Sequence, residues 1–142
     1  GKVGKNIEAK FAHKYIDSFG LGIDFTARDV QSKLKEKGLP WEKAKAFNGS
    51  AFVSAMQPFN PAVLENPIHF TLHKNGALVQ DGNSELMIWN VAELIEEVSK
   101  YFTLKTGDYL FTGTPAGVGP VAIGDVLKGS LEGSPMFELA IS

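Results

Sequence analysis

Hydrophobic and polar positions change period several times along this chain, and each change marks an element. Ile7, Phe11, Tyr15 and Phe19 recur every fourth position, with Ala12 and Ile16 widening the stripe. The spacing predicts an amphipathic packing helix capped by Asn6 and closed by Gly20, with His13 on its solvated side. Leu21, Ile23 and Phe25 then alternate with Gly22, Asp24 and Thr26, the period of a short strand that carries Asp24 on the face away from its apolar residues. From Ala27 the pattern turns helical up to Lys37, where Gly38 and Pro40 supply a stop. Arg28 and Gln31 therefore share one side of the first helical turn.

Residues 41–47 read as a connection, and the FNGS of 47–50 as a turn into a strand over 51–55. Pro58, Pro61 and Pro67 mark the following stretch as loop with room for one helical turn. Ile68, Phe70 and Leu72 alternate with His69, Thr71 and His73 up to Asn75-Gly76, a strong hairpin signal, and residues 77–80 return. Asn90 with Glu93 predicts a capping box, and Val91, Leu94, Ile95 and Val98 form the core stripe of the helix it opens. Thr106-Gly107-Asp108 reads as a turn before a strand over 109–112. Short strands punctuated by Gly124, Gly129, Gly133 and Pro135 end in the alternation of Phe137, Leu139 and Ile141. No repeat or composition shift divides the chain, so one domain is expected over its 142 residues.

Composition changes this picture little. Hydrophobic residues at 44% and charged residues at 21% describe an ordinary globular chain long enough to bury a core. With a formal net charge of -2 and no basic run, nothing points to nucleic acid. No apolar run reaches the ~20 residues that cross a membrane. The absence of cysteine excludes disulfides and thiolate metal sites and fits a reducing, cytoplasmic compartment. Gly1 is not an initiator Met, so the numbering is expected to begin inside a longer gene product.

Candidate chemistry concentrates in two stretches. Asp24, the only arginine Arg28, and Gln31 fall within eight residues. Together they could hold a metal ion beside an anionic ligand, although a surface Asp-Arg pair on a strand-to-helix corner is the simpler reading of that spacing. The second stretch, TGTPAGVGP at 112–120, offers backbone N–H groups and threonine hydroxyls suited to an anion, or makes a plain tight turn. It has neither the Gly-Lys-Ser/Thr of a Walker loop nor dinucleotide glycine spacing. His69 and His73, four apart on a strand, are too distant for an easy shared zinc ligand. Glu96-Glu97 reads as a solvated face, not a catalytic dyad.

GIDFTARDVQ at 22–31, GLPWEKAKAF at 38–47, the Asn75-Gly76 hairpin with Gln80, FTLKTGD at 102–108 and TGTPAGVGP closely resemble, in this order, the fumarylacetoacetate hydrolase family. The nearest branch is the small acylpyruvase and oxaloacetate decarboxylase type. The resemblance implies an α+β, mostly β fold of packed mixed sheets with a few short helices, usually in a homodimer. It implies a divalent ion, Mg²⁺ or Mn²⁺, with Asp24 as one ligand and a Glu-x-Glu pair as the others. No Glu-x-Glu occurs in these residues, and the family's pair, like its lid histidine and glutamate, would lie upstream of Gly1. The chain thus resembles the C-terminal part of a longer enzyme, expected to be weak or inactive alone. FNGSAFVS at 47–54 departs from relatives that carry Cys-Pro after the serine, which would alter the pocket wall.

By the same resemblance, Arg28, Gln31, Lys45 and Thr114 surround a small 2-oxo acid. Arg28 offers a fork to a carboxylate, Gln31 donates a hydrogen bond, and Thr114 with its loop holds the other end. Lys45 would place a cation near a developing enolate oxygen, or donate a proton if its pKa is lowered. The implied activity is hydrolysis of acylpyruvates or decarboxylation of oxaloacetate through a metal-stabilised enolate. Two alternatives are an isomerase or decarboxylase of 2-hydroxyhepta-2,4-diene-1,7-dioate in aromatic-acid breakdown, and a noncatalytic dimerisation module.

Overall fold

The structure is a computed structural model that describes residues 2–142. Contacts within the chain cluster into two compact units, one formed by residues up to Leu21 together with Ala55–Ser142, the other by Gly22–Ser54.

The larger unit is built on a four-stranded antiparallel sheet. Strand β5 (His69–Lys74) pairs with β6 (Ala77–Asn83) on one side and β7 (Val126–Leu131) on the other, and β8 (Ser134–Ala140) follows β7, in the order β6-β5-β7-β8. The β5–β6 turn is the expected Asn75-Gly76 pair, both at positive φ (51° and 84°), the combination that matches strand twist in a two-residue hairpin. One irregularity interrupts this ladder. Leu72 faces Gln80 but His73 faces Leu78, so Val79 is an extra residue bulged out of register. Two short strands, β1 (Ser18–Phe19) and β4 (Gln57–Pro58), pair separately in this unit.

Helix α3 (Val91–Tyr101) opens with the predicted capping box, Asn90 Oδ1 accepting from Glu93 N–H and Glu93 Oε2 from Asn90 N–H. Its residue Ile95 is buried with Ile7 and Ala12, and Val91, Ala92, Tyr15, Ile16 and Leu104 pack around them. The N-terminal segment is bound to this helix by polar contacts that periodicity did not reveal. Ser99, fully buried, accepts the Ile7 N–H through Oγ at 2.8 Å, and Ser99 carbonyl accepts Asn6 N–H. Glu96, expected on the solvated face, accepts the Ala9 N–H at 2.7 Å.

These contacts explain why the first helix departs from expectation. Asn6 lies at φ 53°, outside the extended region an N-cap needs, and caps nothing. The helix that forms is a 3-10 helix over Ala9–Tyr15, and Phe19 belongs to β1 instead. Residues 109–112 also differ. They follow the expected turn, where Lys105 N–H donates to Asp108 Oδ2, but form no strand. Their apolar residues Tyr109, Leu110 and Phe111 are exposed, with no ladder among the described residues.

The smaller unit is a two-stranded ribbon and two helices. Strand β2 (Gly22–Asp24) pairs antiparallel with β3 (Ala51–Val53), setting Asp24 opposite Ala51. Helix α1 (Arg28–Glu36) ends as the glycine predicts. Gly38 takes φ 63°, its N–H bonds Lys35 carbonyl, and Leu39 N–H bonds Leu34 carbonyl, the two bonds of a Schellman cap. Residues 41–47, expected as a connection, contain a single-turn helix, α2 (Glu42–Lys45), too short for a 3.6-residue period to show. All strand pairings among the described residues are antiparallel, and short sheets with a few helices make the α+β architecture expected. Among the described residues, no helix is long and apolar enough to cross a membrane.

Candidate functional site

Four of the five candidate residues fall in the smaller unit, and the local chain path brings them together in two pairs. Asp24 ends β2 with its side chain exposed, on the polar side of the alternation. Lys45 ends α2, and its Nζ lies 2.7 Å from both Asp24 Oδ2 and Thr26 Oγ1. The link that makes this possible is a backbone one. Ala27, the residue before α1, donates its N–H to Ala44 carbonyl at 3.1 Å, so the start of α1 is tied to α2 one residue short of Lys45. Thr26 was not singled out by sequence, although it lies two positions from Asp24 on the same side of the strand-like alternation.

The second pair is Arg28 and Gln31. Arg28 is the first residue of α1, and its Nη1 donates to Gln31 Oε1 at 2.7 Å, as the spacing of three allows. A guanidinium can only donate, so this bond fixes the Gln31 amide with its oxygen on Arg28 and its NH₂ turned to serve other acceptors. Gln31 is one of the few buried polar residues, at 7% exposure, which holds that orientation in place.

Thr114 lies in the larger unit, on the glycine loop, and is exposed. Gln80, half-buried on β6, donates from Nε2 to Thr114 Oγ1 at 2.9 Å and to Pro115 carbonyl at 3.0 Å. Gly117, at φ 98°, lies so close to the Val79 carbonyl that a Cβ there would overlap it. The loop is therefore docked on the bulged stretch of β6 and not a free turn.

The acids of this chain do not form a metal cage by themselves. No group of three or more His, Cys, Asp or Glu among the described residues could hold an ion. His69 and His73 share no such group. Asp24 is an exposed carboxylate whose partner here is the Lys45 ammonium, from which the Thr26 hydroxyl also accepts.

Fold and site together define a family. The pattern described as fumarylacetoacetate (FAA) hydrolase, C-terminal, matches residues 1–140, and the chain belongs to that family. It is 41% identical over 133 residues to the mitochondrial oxaloacetate tautomerase of Mus musculus, covering 94% of this chain and 60% of the relative. It is 36% identical over 141 residues to a fumarylpyruvate hydrolase of Ralstonia sp, covering 99% of this chain and 73% of that protein. Among solved structures, the fumarylpyruvate hydrolase of Pseudomonas aeruginosa, in complex with Mn²⁺ and pyruvate, superposes with a TM-score of 0.92 at 33% identity, covering 99% of this chain and 60% of that one. The chain thus spans 60% of the length of the mouse relative.

Proposed function

We propose that this chain is the C-terminal portion of a divalent-metal-dependent enzyme that acts on small 2-oxo acids through an enolate. The observation that carries this reading is the Asp24–Lys45–Thr26 cluster, a carboxylate and an ammonium held 2.7 Å apart on the smaller unit of a chain of this family. Asp24 supplies one carboxylate ligand to Mg²⁺ or Mn²⁺, with further protein ligands from outside these 142 residues. The ion, when bound, acts as a Lewis acid on the 2-oxo group and lowers the cost of enolate charge.

Each remaining candidate then has a defined task. Arg28 meets the substrate carboxylate as a forked donor, and the Gln31 NH₂, left free by the bond of its oxygen to Arg28, adds a hydrogen bond. Lys45 holds its positive charge by the oxygen on which the enolate develops. Thr114 contributes a hydroxyl from the glycine loop. Removal of a proton from the carbon next to the ketone gives the enolate, and its return at oxygen or carbon completes a tautomerisation. Loss of CO₂ in place of that proton gives decarboxylation, while addition of water to a second carbonyl followed by C–C cleavage releases a carboxylic acid and the same enolate. The relatives' names, a tautomerase and hydrolases, fit this shared enolate chemistry. The same reading includes a homodimer.

The test is Mg²⁺-dependent turnover of oxaloacetate and acetylpyruvate by the complete gene product that carries this chain, beside its Asp24→Ala variant. Metal-dependent turnover that the variant lacks supports the reading and ranks tautomerisation against cleavage. Turnover that survives in Asp24→Ala with unchanged Mg²⁺ dependence would remove Asp24 from the metal site.

A further inference from the structure

We infer that Gln80 is a positioning residue that, by donating to Thr114, leaves the Thr114 O–H free to donate, so that the glycine loop favours an accepting group such as a carboxylate. This rests on the proposed 2-oxo acid reading for its substrate class. The geometry of the contact is independent of that reading.

The argument begins with the carbonyl of Pro115, which can only accept. Its 3.0 Å contact with Gln80 therefore fixes the amide with Nε2, not Oε1, toward the loop. The same nitrogen carries a second hydrogen, and Thr114 Oγ1 lies 2.9 Å away to receive it. A hydroxyl that accepts from an amide keeps its own proton, and its second lone pair, for other partners. Gln80 thus leaves the Thr114 proton available to a ligand without itself reaching any substrate.

Two features fix Gln80 in this place. Val79, the extra residue of the β6 bulge, shifts the register so that Gln80 opposes Leu72 while Leu78 opposes His73. On the loop side, Gly117 rests against the Val79 carbonyl, where only a residue without Cβ fits. The bulge and the glycine bring the Gln80 amide to the loop, and the two bonds of its nitrogen complete the contact. A glutamate at this position would have nearly the same shape and the opposite sense when ionised. It would draw the Thr114 proton to itself and present the ligand with a hydroxyl lone pair.

The experiment compares the complete gene product that carries this chain with its Gln80→Glu, Thr114→Val and doubly substituted variants by NMR, using pyruvate in the presence of Mg²⁺ as the probe. In the unsubstituted chain both side-chain amide protons of Gln80 are expected to be resolved and protected, and Thr114→Val is expected to shift one of them and leave the other. A Gln80 amide that exchanges like a free glutamine overturns the inference whatever the chain binds. For pyruvate, Gln80→Glu is expected to weaken binding roughly tenfold at pH 8, a loss of one hydrogen bond to a charged group. Affinity should recover as the pH falls and the introduced carboxyl protonates, while Thr114→Val adds no further loss. An equal loss from Gln80→Glu in the Thr114→Val background would overturn the inference, because a merely structural glutamine acts irrespective of that hydroxyl. Protected Gln80 protons in a chain whose Thr114 does not respond to pyruvate would support the donor geometry and count against the 2-oxo acid reading.

Discussion

Lys45 Nζ rests 2.7 Å from Asp24 Oδ2, although twenty-one residues separate them. The contact lies at the surface, with side-chain exposures of 35% and 51%. Exposed ion pairs contribute about 0 to 1 kcal/mol to stability. Folding energy therefore gives little account of why a cation and a carboxylate are held at this distance, which leaves room for the role proposed for Lys45.

Lys45→Met separates the two roles. It is expected to change the unfolding free energy by no more than about 1 kcal/mol. In the complete gene product it should lower kcat for oxaloacetate by ~100-fold or more, the scale of removing a preorganised charge from a developing oxyanion. Lys45→Arg should not restore turnover, because a planar fork does not replace a compact ammonium. Denaturant titration and steady-state kinetics on the same preparations decide this. A variant that loses stability and activity together would make Lys45 a structural residue.

Ser99→Ala addresses the core. Ser99 is fully buried, and its Oγ accepts the Ile7 N–H while its O–H donates to Glu96 carbonyl. Alanine leaves the Ile7 N–H without this acceptor, which costs roughly 1–3 kcal/mol. The urea midpoint should fall accordingly, with amide exchange at Ile7 accelerated. An unchanged midpoint would show that this bond adds nothing to the attachment of the N-terminal segment.

The same residues show what the sequence could and could not reveal. The Asn90–Glu93 box, the Asn75-Gly76 hairpin, the Gly38 stop and the Arg28–Gln31 pair were legible because each is a contact between residues one to four apart. Lys45 with Asp24 was open only to family resemblance, since no local pattern connects residues so distant. The first helix was misjudged for the converse reason. Its fourfold apolar period is real, but Ile7 and Ala9 spend their N–H groups on Ser99 and Glu96, and Asn6 is turned to positive φ where it cannot cap. Residues 109–112 have a strand's composition without a neighbouring ladder, and composition alone cannot supply one.

Acid should weaken the chain through Asp125. Its carboxyl is held below the ordinary value of 3.8, first by the Ala122 N–H and then by the Asn75 side-chain amide, with the Lys74 charge adding to both against a smaller opposing effect of burial. A carboxyl whose folded value is depressed adds stability that is fully present above its unfolded value and disappears as the pH falls through the folded one. Stability measured by urea titration should therefore decline below about pH 4. Asp125→Asn should start from a lower stability at pH 7 and show a shallower acid decline. Parallel pH profiles for the two proteins would exclude Asp125 as a contributor.

Gly117→Ala tests whether the glycine loop is docked or merely turned. Gly117 sits at φ 98°, where a side chain is strained, and its Cβ would overlap the Val79 carbonyl, a backbone atom held in the β6 bulge that cannot yield as a flexible side chain could. Strain of this kind costs of order 1–3 kcal/mol. The variant should either lose that much stability or release the loop, and release would free the Gln80 amide from Thr114 and Pro115. Gly119→Ala is the control, since nothing lies within 4 Å of its Cβ position and its φ is not in the strained range. It should stay within about 0.5 kcal/mol of the parent. Urea unfolding gives the first quantity, and hydrogen exchange of the Gln80 side-chain amide tells the two routes apart. A Gly117→Ala protein as stable as Gly119→Ala, with Gln80 still protected, would mean that the loop is not seated on Val79.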